Sequence, residues 1–90
     1  MPHTVKDKDK LVMRVRRIRG QLDAVERALE DERDCTDIMQ LLAACRGALG
    51  GLTAEVIEGH VQMHIAEPDA RGTRTRAAQE LIEVLKTYLR

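Results

Sequence analysis

The chain has 90 residues, 43% of them hydrophobic, with one Tyr and no Phe or Trp. That composition fits one small domain over residues 1–90 whose core is built from Leu, Ile, Val, Met and Ala. No apolar run approaches the ~20 residues that cross a bilayer, and the formal net charge of zero speaks, at face value, against nucleic acid.

The charge distribution reverses that last inference. Residues 1–20 carry a net of +5 and residues 21–37 a net of −5, while the remainder balances. A basic end beside an acidic middle is more informative than their sum. A core without aromatic bulk is thin for a monomer, so burial in an oligomer is expected. The polar, charged N-terminus is unlike a signal peptide, which points to the cytoplasm. Two cysteines in such a setting read as free thiols.

The first predicted helix carries Leu11, Val15, Ile18, Leu22, Val25 and Leu29, a seam with alternating spacings of four and three. Its basic residues also fall into a pattern. Lys10, Arg14 and Arg17 form a stripe along one face, flanked by Arg16 and Arg19. No helix-turn-helix signature accompanies it. Affinity for DNA through such a stripe comes mainly from phosphates, and sequence preference partly from DNA shape. The acidic cluster "EDERD" (Glu30 to Asp34) breaks the periodicity. Asp34 is a candidate N-cap for the next helix, with Asp37 in its first turn.

The second segment is marked by Ile38, Leu41, Leu42, Cys45, Leu49, Leu52, Val56 and Met63. The stretch "RGALGGLTAE" (Arg46 to Glu55) holds Gly47, Gly50 and Gly51, which can end a helix and make a hairpin. Each helix-interior Gly costs ~1 kcal/mol relative to Ala. The apolar phase nevertheless runs straight through these glycines, and a turn would reset it. One long helix over about residues 34–65 is therefore expected, with small residues where another helix packs closely. Pro68 to Gly72 reads as a turn, and Thr73 as the cap of a third helix carrying Ala78, Leu81, Ile82, Leu85, Tyr88 and Leu89. No strand pattern, repeat or low-complexity tract is present.

Cys35 and Cys45 on one helix lie about 15 Å apart at ~1.5 Å per residue, beyond the roughly 7 Å reach of a disulfide. Cys45 falls in the apolar seam and reads as core. His60 and His64 sit four apart in "EVIEGHVQMHI" (Glu55 to Ile65), hence on one helical face. Two such imidazoles can share a metal ion, or they can be two solvated side chains near a helix end. On a continuous helix Cys35 and His60 are about 38 Å apart at ~1.5 Å per residue, so one chain cannot bring them to one ion. Two antiparallel copies can, generating two equivalent sites about a dimer axis, with His3 on an N-terminal arm free to join. A Cys, two or three His and the chain terminus suit Ni(II), Co(II) or Zn(II).

The sequence resembles the CsoR/RcnR family of small all-helical bacterial repressors over nearly its whole length. "RVRRIRGQLDAVERALE" (Arg14 to Glu30) resembles the first helix of the formaldehyde-responsive FrmR branch. "MPHT" with "DKDKL" at the start, and "EVIEGHVQMHI", resemble the nickel/cobalt-responsive RcnR branch, while "AACRGALGGLTAEVIEGH" (Ala43 to His60) fits both. The resemblance implies an all-α three-helix protomer, an antiparallel dimer with intersubunit sites, and pairing of dimers into a tetramer. It places the RcnR-type ligands on His3, Cys35, His60 and His64, and a second basic patch on Arg46. The family's copper sensors carry Cys where this chain has His64, which disfavours Cu(I). The FrmR branch implies a different chemistry. Pro2, exposed if Met1 is removed, offers a secondary amine, and Cys35 a thiol that as thiolate attacks the iminium formed with formaldehyde.

The expectation is a cytoplasmic, homotetrameric repressor that binds operator DNA when ligand-free and is released by Ni(II) or Co(II), with Zn(II) possible. The genes controlled are expected to encode metal efflux. The alternative is a formaldehyde-responsive repressor using Pro2 and Cys35. An enzyme is not expected, because no nucleophile–base pair stands out by spacing and pocket-forming aromatics are lacking.

Overall fold

A computed structural model describes residues 7–66 and 73–88, and no strand occurs among them. Helix α1 spans Lys8–Glu30 and α2 spans Cys35–Val61. A π-helical turn follows at Gln62–Ala66, and α3 spans Thr73–Tyr88. The described residues are thus all-α, with three helices and one long central element. Two compact units are distinguished: Asp7–Thr53, and the part from Ala54 onward. The expected roles of Pro2 and His3, the expected turn at Pro68–Gly72 and the expected apolar position Leu89 lie outside the described residues.

In the first unit, α1 and the N-terminal part of α2 form a hairpin. Arg14 and Gly51 line the same cavity as Ile18 and Gly47, which is the pairing of antiparallel helices. The heptad seam of α1 divides in two. Leu11 and Ile18 are half-buried and Val25 is buried, joined on the inner face by buried Ala28. The alternate positions Val15, Leu22 and Leu29 stay 41%, 52% and 58% exposed, so this chain does not cover them. Leu42 and Leu49 of α2, also seven apart, are exposed as well. A seam of period 3.5 offers both its position types to a partner, and the second helix of the chain takes up only one.

The connection between α1 and α2 is tight. Arg33 N donates to Ala28 O at 3.0 Å and Glu32 N to Leu29 O at 3.2 Å. These are the two bonds of a Schellman helix stop, which satisfies carbonyls that the helix end leaves free. The motif places Glu32 at φ 54°, in the left-handed region where Gly is usual. Asp34 precedes α2, and its carbonyl accepts from Ile38 N at 3.2 Å, the bond expected of an N-cap residue. Asp37, in the first turn, accepts from Arg33 Nη2 at 3.2 Å.

α2 passes through Gly47, Gly50 and Gly51 without a break, so the hairpin alternative does not occur. A Cβ at Gly47 or Gly50 meets nothing within 4 Å, whereas one at Gly51 sits 3.3 Å from Arg14 Nη1. Just beyond them Thr53 Oγ1 donates to Leu49 O at 2.9 Å, so the hydroxyl is satisfied within the helix.

In the second unit, α3 packs on the end of α2 and on the π turn. Ala77 is 4% exposed at this contact, where its small side chain permits a close approach. Val56, Ile57 and His60 of α2 face Glu80, Leu81 and Val84 of α3 around an apolar cavity of about 210 Å³. The sequence pattern gives no sign of the π turn. Such a turn holds one more residue between bonded groups than an α turn and is found mostly as single turns at functional sites. Here it is the segment against which α3 rests.

Glu32→Gly is expected to stabilise the protein. The left-handed conformation costs a non-Gly residue roughly 1–2 kcal/mol, and the extra freedom of Gly in the unfolded chain returns roughly 0.5–1 kcal/mol. A net gain of about 0.5–1 kcal/mol follows, to be read from urea unfolding. A loss of stability would contradict the Schellman stop.

Candidate functional site

The basic residues divide by what they touch. Lys10, Arg16, Arg17 and Arg19 on α1 and Arg46 on α2 are exposed, while Arg14 is half-buried. Arg16 Nη1 lies 4.0 Å from Met13 Sδ, a weak contact that leaves the guanidinium at the surface. Arg14 instead leans across α2 towards Gly51. Arg14 and Arg17 together line a cleft of about 230 Å³ with Ile18, Gly47, Ala48 and Gly51. The expected stripe is therefore present on α1, but one of its members lies in the groove between helices. Spacing along α1 carries no signal for that; the glycines of α2 carry one.

The two histidines at the other end of α2 come together. The His60 and His64 ring centroids are 5.1 Å apart with planes at 55°. Both residues are half-buried, so they are not two fully solvated side chains. His60 Nε2 lies 2.9 Å from Ala77 O. A carbonyl only accepts, so Nε2 carries the proton in this bond and donates it. The bond fixes the ring of His60 against α3. A backbone carbonyl on the far nitrogen is a common way to fix the tautomer of a metal-ligating His. Sequence reasoning missed Ala77 O as the partner of His60, because a backbone acceptor carries no residue-type signal.

Cys35 is a free, exposed thiol at the first position of α2, and Cys45 is free and buried, as expected for a core residue. Cys35 and the histidine pair stand at opposite ends of one helix. Among the described residues no group of three or more His, Cys, Asp or Glu comes together to hold a metal ion. One chain brings His60 and His64 together and does not bring Cys35 to them. The donor types remain those of a borderline-soft site, one thiol with two imidazoles. No helix of the described residues is long and apolar enough to cross a membrane.

Comparison with known proteins gives a consistent result. The family model "Metal-sensitive transcriptional repressor" matches residues 7–87. The chain is 47% identical to a Serratia marcescens protein described as an uncharacterized protein in the bioA 5' region, over all of both chains. It is 37% identical to the transcriptional repressor RcnR of Salmonella paratyphi B, again over all of both. Among solved structures, it resembles a variant of the formaldehyde-responsive regulator FrmR from Salmonella enterica serovar Typhimurium. The TM-score is 0.84 at 41% identity, over 97% of this chain and 99% of that one. It also resembles the copper-sensing repressor CsoR with Cu(I) from Geobacillus thermodenitrificans, with TM-score 0.89 and 28% identity, over 100% of this chain and 94% of that one. The three-helix fold and these matches together place the chain in the CsoR/RcnR family of metal-sensitive transcriptional repressors.

Proposed function

We propose that the protein is a cytoplasmic repressor, and not an enzyme, that holds operator DNA when ligand-free and lets it go on binding Ni(II) or Co(II). The observation that carries this reading is the His60–His64 pair, 5.1 Å between ring centroids, with Nε2 of His60 engaged by a backbone carbonyl. Cys35 of a second copy, packed antiparallel along α2, supplies the thiolate that one chain cannot. His3 of the N-terminal arm completes the set. Zn(II) satisfies the same donors, and Cu(I), which prefers more sulfur, fits less well. The exposed Val15, Leu22, Leu29, Leu42 and Leu49 support assembly, since a second copy would remove them from water. The assembly proposed is a homodimer pairing into a homotetramer.

DNA is held by Lys10, Arg14, Arg16, Arg17 and Arg19 of α1, with Arg46 of α2. Ligation joins the N-terminal arm, next to this basic helix, to the metal site and favours a conformation with lower DNA affinity. Coupling of this kind is typically ~1–3 kcal/mol per site and reciprocal, so DNA weakens metal binding by the same factor. The genes released are proposed to encode metal efflux. The exposed thiol of Cys35 also favours a second reading, a formaldehyde-responsive repressor. There the Pro2 amine and formaldehyde form an iminium with loss of water. The Cys35 thiolate adds to its carbon, leaving a methylene bridge between nitrogen and sulfur.

Arg17→Ala is expected to weaken operator binding and to lower the slope of log K against log salt by about 0.9 for each phosphate no longer neutralised. Metal affinity measured without DNA should hardly change. An unaltered salt slope would remove this face of α1 from the DNA surface.

Subunit exchange tests the shared site. A Cys35→Ala protein mixed with a His60→Ala, His64→Ala protein should regain one intact site per mixed dimer, seen as tight Co(II) binding with a thiolate charge-transfer band. Confirmed exchange without that band would rule out the antiparallel arrangement.

The effector is decided by two substitutions. His64→Glu should weaken Ni(II) and Co(II) binding and blunt metal-driven release from DNA while leaving any formaldehyde response intact. Pro2→Ser, which keeps a terminal nitrogen but not a secondary amine, should abolish only the formaldehyde response. If metal release survives His64→Glu and Pro2→Ser removes the sole response, the protein is an aldehyde sensor.

A further inference from the structure

Two lines of residues face away from the contact between α1 and α2. On α1 the exposed Val12, Val15, Leu22 and Leu29 fall in one line, and Lys8, Arg19 and Glu26 fill its remaining places. On α2 the exposed Met39, Leu42 and Leu49 fall in a second line, which Arg46, Thr53 and Val56 continue. That line starts at Cys35 and reaches His60. In both, the spacing alternates between four and three, as in helices packed side by side. A two-fold axis makes such a contact reciprocal: if one residue meets a second, the second meets the first. An antiparallel copy of α2 that leaves no place in its line unfaced sets Cys35 against His60, Leu42 against Thr53 and Arg46 against Leu49. The midpoint of each pair lies between Gly47 and Ala48. The line of α1, paired with Val12 against Leu22 and Val15 against Arg19, has its midpoint at Arg17. One axis serves both helices only if the two midpoints stand at one height in the protomer. They do, because Arg17, Gly47 and Ala48 line the same cleft.

We propose that two copies of this chain meet in that register, and that Lys8 of each is paired with Glu26 of the other. The inference rests on the antiparallel reading above and adds the register and a charge pair to it. Both side chains are exposed and opposite in sign. A shift of one heptad sets Glu26 against Val15 instead, and a parallel copy sets Lys8 against Lys8, so only this register joins unlike charges at the ends of α1. Arg19 is compatible with it: its stem covers Val15 of the other copy while its head stays in water. An exposed ion pair contributes little stability, so the pair acts as a positioning contact. Glu26 lies near the end of α1, and α2 starts at Cys35 after a short connection. The pair thus fixes the start of one chain's α1, which follows His3 in sequence, near the Cys35 end of the other chain.

The test uses the full chain. Lys8→Cys and Glu26→Cys are placed together in a Cys35→Ala background. The two new thiols of one chain are about 27 Å apart along α1 at ~1.5 Å per residue, so a short bismaleimide joins them only between chains, whose helix axes would lie ~8–10 Å apart. Covalent dimer is expected on a denaturing gel. The background alone, with its buried Cys45, and a Val15→Cys, Glu26→Cys protein one heptad out of register should give little. Charge reversals read the same contact without a cross-linker. Lys8→Glu and Glu26→Lys each bring like charges together and should weaken assembly about tenfold at low salt, measured by sedimentation on dilution. Their equimolar mixture brings opposite charges together at both contacts of a mixed dimer and should assemble as the wild type does. High salt should remove these differences. Covalent dimer from the Val15 variant in place of the Lys8 variant overturns the register, and so does a mixture that assembles no better than its parts. If either result accompanies a restored Co(II) site in the subunit-exchange test above, the antiparallel reading stands without this register. If the Co(II) site also fails to return, both fall.

Discussion

Three glycines within five residues interrupt the helix propensity of α2, and the helix continues through them. The rest of the site depends on that continuity. Because α2 does not turn at Gly50 and Gly51, Cys35 begins the helix and His60 lies next to its end. Residues at opposite ends of one continuous helix cannot meet around an ion. A ligand set that included both would require a second chain. The same continuity leaves a strip of α2 without side chains opposite α1, which is where Arg14 lies down. One structural feature thus bears on both the spacing of Cys35 from the histidine pair and the basic face.

The interior of the protomer is consistent with this dependence. Val25, Ala28, Cys45 and Ala77 are the buried apolar residues among those described, and two of the four are alanines. Fully burying a large aliphatic side chain is worth about 1.5–3 kcal/mol, whereas several leucines here remain about half exposed. A chain that leaves its larger apolar groups uncovered gains more from a partner than from its own core.

At the far end of α2 the controlling interaction is smaller. The Ala77 carbonyl accepts a hydrogen bond from His60 Nε2–H, so the packing of α3 holds the ring in place. The π turn places His64 beside that ring and also carries the contact with α3. Displacement of α3 would therefore alter the tautomer and position of His60 together. That is a physical link between the histidine pair and the packing of a helix, achieved with a single backbone acceptor.

Much of this was legible beforehand, and the reason lies in periodicity. The apolar phase through Cys45, Leu49, Leu52 and Val56 required one helix despite the glycines, because a turn resets phase and these residues keep it. Spacing of four put His60 and His64 on one face, and Asp34 marked the start of α2 through its cap chemistry. These are local properties, set by bonds within a few residues. What the tertiary structure alone decided involves groups distant in sequence or lacking a side-chain signature. The seam of α1 held no sign that Leu11, Ile18 and Val25 would turn inward while Val15, Leu22 and Leu29 stayed outside, since both sets have the same spacing and only the position of a neighbouring helix distinguishes them. Arg14 could not be told from Arg17 until α2 lay beside it. The bond from His60 to Ala77 joins residues 17 apart through a carbonyl that every residue possesses, so no residue type announces it and only packing creates it.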